Sequence, residues 1–298
     1  MTLLFTTLTL ISFASNSLLT RLALGAGAID AASFTTVRIV SGAVMLLALS
    51  AIAARRNSLP ALPALPAPPA FPPPPAPRGF ADWRLPLVLF GYAITFSFAY
   101  VTLTASTGAL ILFGAVQTTM LTAALVAGER PRALEWAGLV LACVGLVVLT
   151  SPGLAGPPLS GSLSMAASGI CWGFYSLWGR DVKSALESTT SNFIRVTPLS
   201  LLVSLATIGR AHVTTTGALL AALCGAVTSG VGYVLWYSAL AGLSATRAAT
   251  VQFAVPVIAA AGGVILLAEP ISLRLIASAI LILGGIGLSH LSPGSAGA

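Results

Sequence analysis

Aromatic side chains recur at helical spacing in three apolar stretches of this sequence. They are Tyr92, Phe96 and Tyr100 in the first stretch, Trp172 and Tyr175 in the second, and Tyr233, Trp236 and Tyr237 in the third. Residues three or four positions apart lie on one face of a helix. Tyrosine and tryptophan rings contact other rings and cations through their π-faces, and each carries one polar tip. The spacing therefore predicts three aromatic faces that bind an apolar or ring-bearing substrate, with core packing or an interfacial belt as the alternative for any single ring.

Three amide side chains also lie within apolar stretches, namely Asn16, Gln117 and Gln252, and Ser17 follows the first of them. An amide in apolar surroundings has to be hydrogen-bonded, either to a neighbouring helix or to a ligand in a hydrated cavity. The sequence leaves both possibilities open, and we group these four residues with the aromatic ones as candidate substrate-binding residues. Pro256 removes one backbone donor from its helix, which predicts a kink that serves as a hinge or gate.

Arg38 and Arg195 are the only charged residues inside apolar stretches. Each lies five or six residues from an end, roughly 8 Å deep at about 1.5 Å per residue. In a membrane, such a long side chain can reach the headgroups or the carbonyl groups that end a neighbouring helix. We interpret both as structural charges, and a clamp for a substrate carboxylate is the alternative. Glu129 and Glu269 stand in matching corners just before a helix start, where a carboxylate stabilises exposed N–H groups, and we interpret them as structural caps.

The composition indicates which solvent surrounds these residues. Of the 298 residues, 57% are hydrophobic and 7% are charged, whereas soluble domains carry about 25% charged residues. So few charges cannot cover a water-facing surface, and we predict an all-α membrane protein with ten transmembrane helices of about 20 residues. The formal net charge of +7 comes from residues spread over short corners, which argues against a nucleic-acid partner. The predicted spans are 3–21, 33–53, 84–104, 107–127, 133–151, 160–179, 189–208, 216–240, 245–267 and 271–290.

A proline-rich stretch separates the second and third spans. It contains ten prolines between Leu59 and Pro77, which fix φ and lack backbone donors, so we predict a disordered cytoplasmic linker over 57–80. With both termini inside, nine basic residues lie at cytoplasmic corners and three outside, which favours an N-in, C-in orientation. The nine are Arg55, Arg56, Arg78, Arg84, Arg130, Arg132, Arg180, Lys183 and Arg247, and the three are Arg21, Arg210 and Arg274.

The sequence also repeats itself. A shift of 140 positions places Phe113 on Phe253, Glu129 on Glu269 and Gly145 on Gly285. We therefore predict two units of five helices, residues 1–151 and 152–298, and an odd number of spans per unit inverts the second relative to the first. Membrane proteins built from inverted repeats are transporter candidates that bind a substrate near the bilayer midplane and expose it alternately on the two sides.

All seven acidic residues lie at span ends or in loops. Proton-driven exporters commonly keep a carboxylate within the membrane as a relay, so the sequence favours a facilitator or exchanger, with a proton-coupled multidrug or metabolite exporter as the alternative. A membrane-embedded enzyme would need a nucleophile, an acid–base pair or a metal cluster. Two distant histidines and three scattered cysteines indicate none of these, and we expect no cofactor and no metal.

With these residues in view, the chain resembles the drug/metabolite transporter superfamily, in its ten-span form with two EamA repeats. The resemblance rests on Arg38 and Arg195 in the second helix of each repeat, on Pro256, on Glu129 and Glu269, and on the glycine-bearing last helices. The first repeat differs by carrying Val116 where Pro256 aligns. The segment SNSLLTR and the aromatic spans three, six and eight are most similar to the YddG aromatic amino acid exporters.

That resemblance implies an exporter of amino acids in the bacterial inner membrane. We expect a cavity lined by spans one, three, four, six, eight and nine, which binds an aromatic or other hydrophobic amino acid or a similar small metabolite. The lipid bilayer is the other expected partner, and the sequence indicates no oligomeric state.

Overall fold

A computed structural model describes residues 2–57, 82–103, 105–128, 132–150, 158–267 and 273–290. Within these ranges the chain is helical, apart from short turns and one isolated β-bridge. The α-helices are α1 (Thr2–Gly25), α2 (Ala31–Asn57), α3 (Arg84–Thr102), α4 (Ala105–Val126), α5 (Ala133–Thr150), α6 (Leu159–Gly179), α7 (Ala185–Ala206), α8 (Thr215–Leu223), α9 (Gly232–Leu240), α10 (Ala245–Val251), α11 (Ala254–Leu267) and α12 (Leu273–His290). A 3₁₀ turn at Ile208–Arg210 follows α7, and a π-helix, Cys224–Val231, joins α8 to α9.

Each predicted span coincides with helix, and the ends differ by a few residues. The largest difference is four residues, and it occurs at the end of α1, at the end of α2 and at the start of α7, which begins at Ala185 and not at residue 189. Ser184 caps this helix by accepting a hydrogen bond from the N–H of Glu187. Ser-x-x-Glu is the capping-box motif of a helix N-terminus, so the start of α7 could have been predicted from the sequence.

The ninth predicted span is interrupted at Gln252 and Phe253, one turn before Pro256. Proline has no N–H to donate to the carbonyl four residues earlier, which here belongs to Gln252. That carbonyl instead accepts from the N–H of Val255, and the N–H of Phe253 donates three residues back to Thr250. The predicted kink at Pro256 is thus a short break between α10 and α11, while its use as a hinge stays a prediction.

In the part of the chain that the structure describes, four helices are long and apolar enough to cross a membrane, and they are Thr2–Gly25, Ala31–Arg55, Arg84–Thr102 and Thr215–Leu240. The last combines α8, the π-helix and α9. Shorter apolar helices lie at Ile111–Val126, Ala133–Gly145 and Arg247–Ala259 within the described residues. The described chain is therefore an all-helical membrane protein.

The main helix contacts each combine one helix from the first half of the sequence with one from the second half. α2 packs on α7 and on the π-helix, α3 on α6, α1 on α9 and α11, and α5 on α12. In the α5–α12 pair, a Cβ added at Gly285 would lie 2.5 Å from the carbonyl oxygen of Gly138 and 2.8 Å from the backbone nitrogen of Ala142. Small residues thus allow these two backbones to touch.

Two loops meet at one end of the bundle. Ile29 pairs with Val213 in an antiparallel bridge, and the N–H of Asp30 donates to the carbonyl of His212 at 2.9 Å. The Asp30 carboxylate caps α2 by accepting from the N–H groups of Ala32 and Ser33, and also accepts from the N–H of His212. Partial burial opposes ionisation, but these N–H groups hold the pKa of Asp30 below its ordinary value.

Candidate functional site

The three predicted aromatic faces converge in one buried cluster. The ring of Trp172 on α6 lies 4.8 Å from that of Tyr92 on α3 and 4.8 Å from that of Tyr233 on α9. Tyr92 and Tyr233 are themselves 6.3 Å apart. The faces therefore meet across the packed helices, with Trp172 between the other two.

The remaining predicted rings extend this cluster towards both ends. Phe96 lies 5.3 Å from Tyr92 and 4.7 Å from Tyr100. Tyr175 stacks on Tyr237 at 5.0 Å, and the Trp236 indole N–H donates to Ser176 at 2.9 Å. All eight predicted aromatic residues are buried, as core packing also requires, so burial alone does not separate packing from binding.

Phe13 and Phe193 belong to the same cluster, although the spacing argument missed them. The Phe13 ring on α1 lies 5.1 Å from Trp172 and 5.7 Å from Trp236, and Phe193 on α7 lies 5.8 Å from Tyr233. Neither has a second aromatic residue three or four positions away, which was the only signal used.

Asn16 links α1 to both halves of the sequence. Its Nδ2 donates to the Tyr92 hydroxyl at 3.2 Å, and its Oδ1 accepts from the thiol of Cys224 at 2.8 Å and from the Thr228 hydroxyl at 3.4 Å. Cys224 lies in the π-helix and is fully buried, so its thiol both packs in the core and donates to this amide oxygen. Ser17, the next residue, is buried beside Asn16.

The other amides differ in how they are satisfied. Gln252 accepts from the Trp172 indole N–H at 2.9 Å, and its Nε2 donates to the Ala248 carbonyl at 3.1 Å. Gln117 is buried on α4, and its Nε2 has no hydrogen-bond partner among the described residues. The sequence analysis overlooked Asn192 on α7, a buried amide that donates to the Tyr175 hydroxyl at 3.4 Å.

Arg38 is buried inside the helix bundle, and its interpretation as a structural charge or as a carboxylate clamp stays a prediction. The side chain is 1% exposed, and its Nε donates to the Ser229 hydroxyl at 2.8 Å. Its Nη2 donates to the hydroxyls of Tyr233 at 2.6 Å and Tyr92 at 3.3 Å. Helix α2 packs so closely on the π-helix that the guanidinium is enclosed by phenol groups.

Arg195 occupies a different environment from Arg38. It is only partly buried, its Nη1 donates to the backbone carbonyl of Asp82 at 2.9 Å, and its guanidinium lies 5.8 Å from the centre of the Trp83 ring. Arg195 thus ties α7 to the entry of α3, as a structural charge would. Glu129, Glu269 and residues 58–80 of the predicted linker lie outside the described residues.

A small cavity of about 20 Å³ lies inside the cluster, which is about the space of one water molecule. Its walls come from α1, α3, α4 and α6. Four of the six spans that were predicted to form the cavity therefore line it. The other two, spans eight and nine, do not line it but contact Trp172 through Tyr233 and Gln252. A larger open groove of about 580 Å³ runs between α4 and α6, but none of the predicted site residues lines it. The lining residues of the small cavity are Phe13, Asn16, Ser17, Tyr92, Phe96, Leu112, Phe113 and Trp172.

A bundle of apolar helices around a buried polar and aromatic centre defines a multi-pass membrane protein, and comparisons with known proteins define its class. Residues 159–291 match the EamA-like transporter family. An uncharacterized protein of Pseudomonas aeruginosa is 46% identical over 287 residues, which cover 96% of this chain and 93% of that protein. A Salmonella typhimurium protein described as a "probable amino-acid metabolite efflux pump" is 28% identical, over 68% of this chain and 76% of its own length.

An "uncharacterized transporter" of Archaeoglobus fulgidus is 28% identical, over 56% of this chain and 61% of its own. One solved crystal structure aligns over 96% of this chain and 99% of its own, with a TM-score of 0.70 and 22% identity, which shows a shared fold. The chain thus matches the EamA-like transporter family over residues 159–291, and two of its relatives are described as an efflux pump and a transporter. It is accordingly a transporter and not an enzyme, with a small-molecule substrate and the lipid bilayer as its partners.

Proposed function

We propose that this transporter exports aromatic and other hydrophobic amino acids, and similar small metabolites, across the bacterial inner membrane. The observation that carries the proposal is the buried cluster in which Tyr92, Trp172 and Tyr233 meet beside the amides of Asn16 and Gln252. Rings bind an apolar side chain through their faces, and amides hydrogen-bond polar groups that would otherwise be unpaired in a low-dielectric site. The Salmonella relative, described as an amino-acid metabolite efflux pump, supports the substrate class.

The mechanism in this proposal is alternating access between two inverted five-helix halves, residues 1–151 and 152–298, with both termini inside. Helix pairing supports it, because α2 packs on its repeat equivalent α7 and α5 packs on its equivalent α12. The α3–α6 contact likewise has an equivalent between 215–240 and α1. Substrate binds between the halves, which then rock about it.

The site is closed around too little space for an amino acid. A volume of about 20 Å³ holds roughly one water molecule, so substrate entry requires aromatic side chains or helices to move. The break at Gln252 and Phe253 places a flexible point next to Trp172, since Gln252 accepts its indole N–H. In this proposal the break and Pro256 serve as the hinge that opens the cluster.

The experiment is uptake of labelled phenylalanine, leucine and glutamate into proteoliposomes, with and without a pH gradient. We expect transport of the first two and a Trp172→Ala rate at least about tenfold lower, since losing a buried indole removes several kcal/mol of ring contact and one hydrogen bond. Trp136→Ala is the matched control, because Trp136 is 39% exposed at the start of α5. Equal rates for the two variants would refute the aromatic site, and uptake driven strongly by a pH gradient would refute the facilitator or exchanger mode.

A further inference from the structure

We propose that Arg38 is the receptor for the carboxylate group of the substrate, so that this carrier selects molecules with an apolar body and one carboxylate. The inference rests on the proposed function for the location of the site, but it adds a charge requirement that aromatic rings and amides do not impose. It follows from the burial of Arg38, from the residues that surround it and from its position beside the cavity.

The charge of Arg38 is buried without a countercharge. Its side chain is 1% exposed, and within the described residues no carboxylate lies within salt-bridge distance of it. The acidic residues of that part of the chain stand at helix ends or in loops, and they are Asp30, Asp82, Glu135, Asp181 and Glu187. Burying an unpaired cation costs several kcal/mol even after relaxation, and intramembrane charges are a recurrent mark of a substrate pathway.

The groups that hold Arg38 are neutral and leave part of it unused. Ser229, Tyr92 and Tyr233 accept from Nε and Nη2, whereas Nη1 is buried with no hydrogen-bond partner among the described residues. The guanidinium carbon also lies 5.3 Å from the centre of the Tyr92 ring and 5.4 Å from that of Phe96. Hydroxyls and ring faces reduce the cost of the charge, but neither neutralises it as an anion would.

Arg38 contacts two side chains of the cavity wall, Tyr92 and Phe96. The Tyr92 hydroxyl accepts hydrogen bonds from both Arg38 and Asn16, and Tyr92, Phe96 and Asn16 all line the cavity. A rotation of Tyr92 would therefore bring the guanidinium into contact with a ligand in the cavity. The planar fork of a guanidinium binds a carboxylate through two parallel hydrogen bonds, and here the unused Nη1 and the vacated Nη2 would supply them.

The repeat-equivalent arginine does not share this environment. Arg195 is partly buried, donates to the Asp82 carbonyl and lies over the exposed Trp83 ring. Arg38 is thus the proposed receptor, and Arg195, at the equivalent position of the second repeat, is the matched control for mutagenesis. The asymmetry predicts a single carboxylate site per chain.

The experiment compares three ligands that share a phenyl ring: phenylalanine, 3-phenylpropionate without the amine, and phenethylamine without the carboxylate. Binding to the purified protein is followed by tryptophan fluorescence, because Trp172 lines the cavity. For the wild type we expect phenylalanine and 3-phenylpropionate to bind at least about tenfold more tightly than phenethylamine, as charge-assisted bidentate pairs are about twice as strong as neutral hydrogen bonds. Arg38→Gln should abolish that preference, Arg38→Lys should keep part of it, and Arg195→Gln should leave it unchanged.

Thermal shifts of the wild type provide a test that does not depend on the folding of a variant. A ligand stabilises the protein that binds it in proportion to ln(1 + [L]/Kd), so the two carboxylates should raise the melting temperature and phenethylamine should not. Equal binding of all three ligands, or unchanged phenylalanine affinity in a folded Arg38→Gln variant, would overturn the inference. If 3-phenylpropionate binds through Arg38 while no amino acid is transported, the proposed function fails and the carboxylate receptor stands. If neither carboxylate binds, the receptor is refuted.

Discussion

Gly225 offers a direct test of the contact between α2 and the π-helix. A Cβ added at this glycine would lie 2.7 Å from the carbonyl carbon of Arg38 and closer still to the Arg38 carbonyl oxygen and to Ser41 Oγ. Ordinary contacts begin near 3.4 Å, so the Arg38 backbone and the π-helix must separate by at least about 0.7 Å. Backbone atoms cannot rotate away as a flexible side chain can, so the whole helix has to move.

We expect Gly225→Ala to destabilise the protein by about 1–3 kcal/mol, the usual cost of overpacking a well-packed core. At roughly 2–4 °C per kcal/mol, the melting temperature of detergent-purified protein should fall by several degrees. Gly284→Ala on α12 is the matched control, because an added Cβ there meets no described atom within 4 Å, and Ala gains about 1 kcal/mol over Gly in a helix. Thermal unfolding followed by size exclusion measures both variants. If Gly225→Ala were as stable as the wild type, the close approach of α2 and the π-helix would be refuted.

Three other predictions concern the hydrogen bond between Trp172 and Gln252, the helix cap at Asp30 and the structural role of Arg195. Trp172→Phe should lose about 1–3 kcal/mol, because the side-chain Oε1 of Gln252 is left unpaired. The double variant Trp172→Phe, Gln252→Leu should recover part of that loss in thermal unfolding, and no recovery would contradict the pairing. Asp30→Ala should cost about 1 kcal/mol of helix capping. Because the folded-state pKa of Asp30 is lowered, the wild-type advantage over Asp30→Asn should be present above the ordinary aspartate pKa of about 3.9. It should vanish as the pH falls through the lower folded-state value, and a pH-independent difference in melting temperature would contradict this. Arg195→Gln should lower the melting temperature without changing phenylalanine affinity, and a weaker affinity would contradict its structural role.

The helices could be predicted from the sequence because a helix that crosses a lipid bilayer needs about 20 predominantly apolar residues. Long apolar runs separated by charged or glycine- and proline-bearing corners are sufficient to locate α1 to α7 within a few residues. The break before Pro256 could also be predicted, because proline lacks the N–H that would continue the helix. The π-helix could not be predicted, because no residue of Cys224–Val231 by itself requires a hydrogen bond between residues i and i+5.

The contents of the site were predictable only where the residues repeat along one helix. Tyr92 and Phe96 recur at the spacing of a helix face, so their shared orientation was evident. Phe13 enters the cluster alone from α1, and no periodic signal accompanies a solitary ring. The partners of Arg38 could not be predicted for a similar reason: its depth within α2 was known, but the hydroxyls of Ser229 and Tyr233 come from residues about 190 positions later.

That separation has a consequence for biosynthesis. Ribosomes add about 5–20 residues per second, so α2 waits roughly 10–40 s before Ser229 and Tyr233 have been made. Throughout this interval the nascent membrane segment carries a cation that lacks these two hydroxyl partners, and we expect it to be held near the lipid headgroups or in the insertion channel. The final burial of Arg38 is then a late assembly step that the last third of the polypeptide triggers. A chain ending after residue 151 should be a target of membrane quality control, and a separately expressed second half should rescue it.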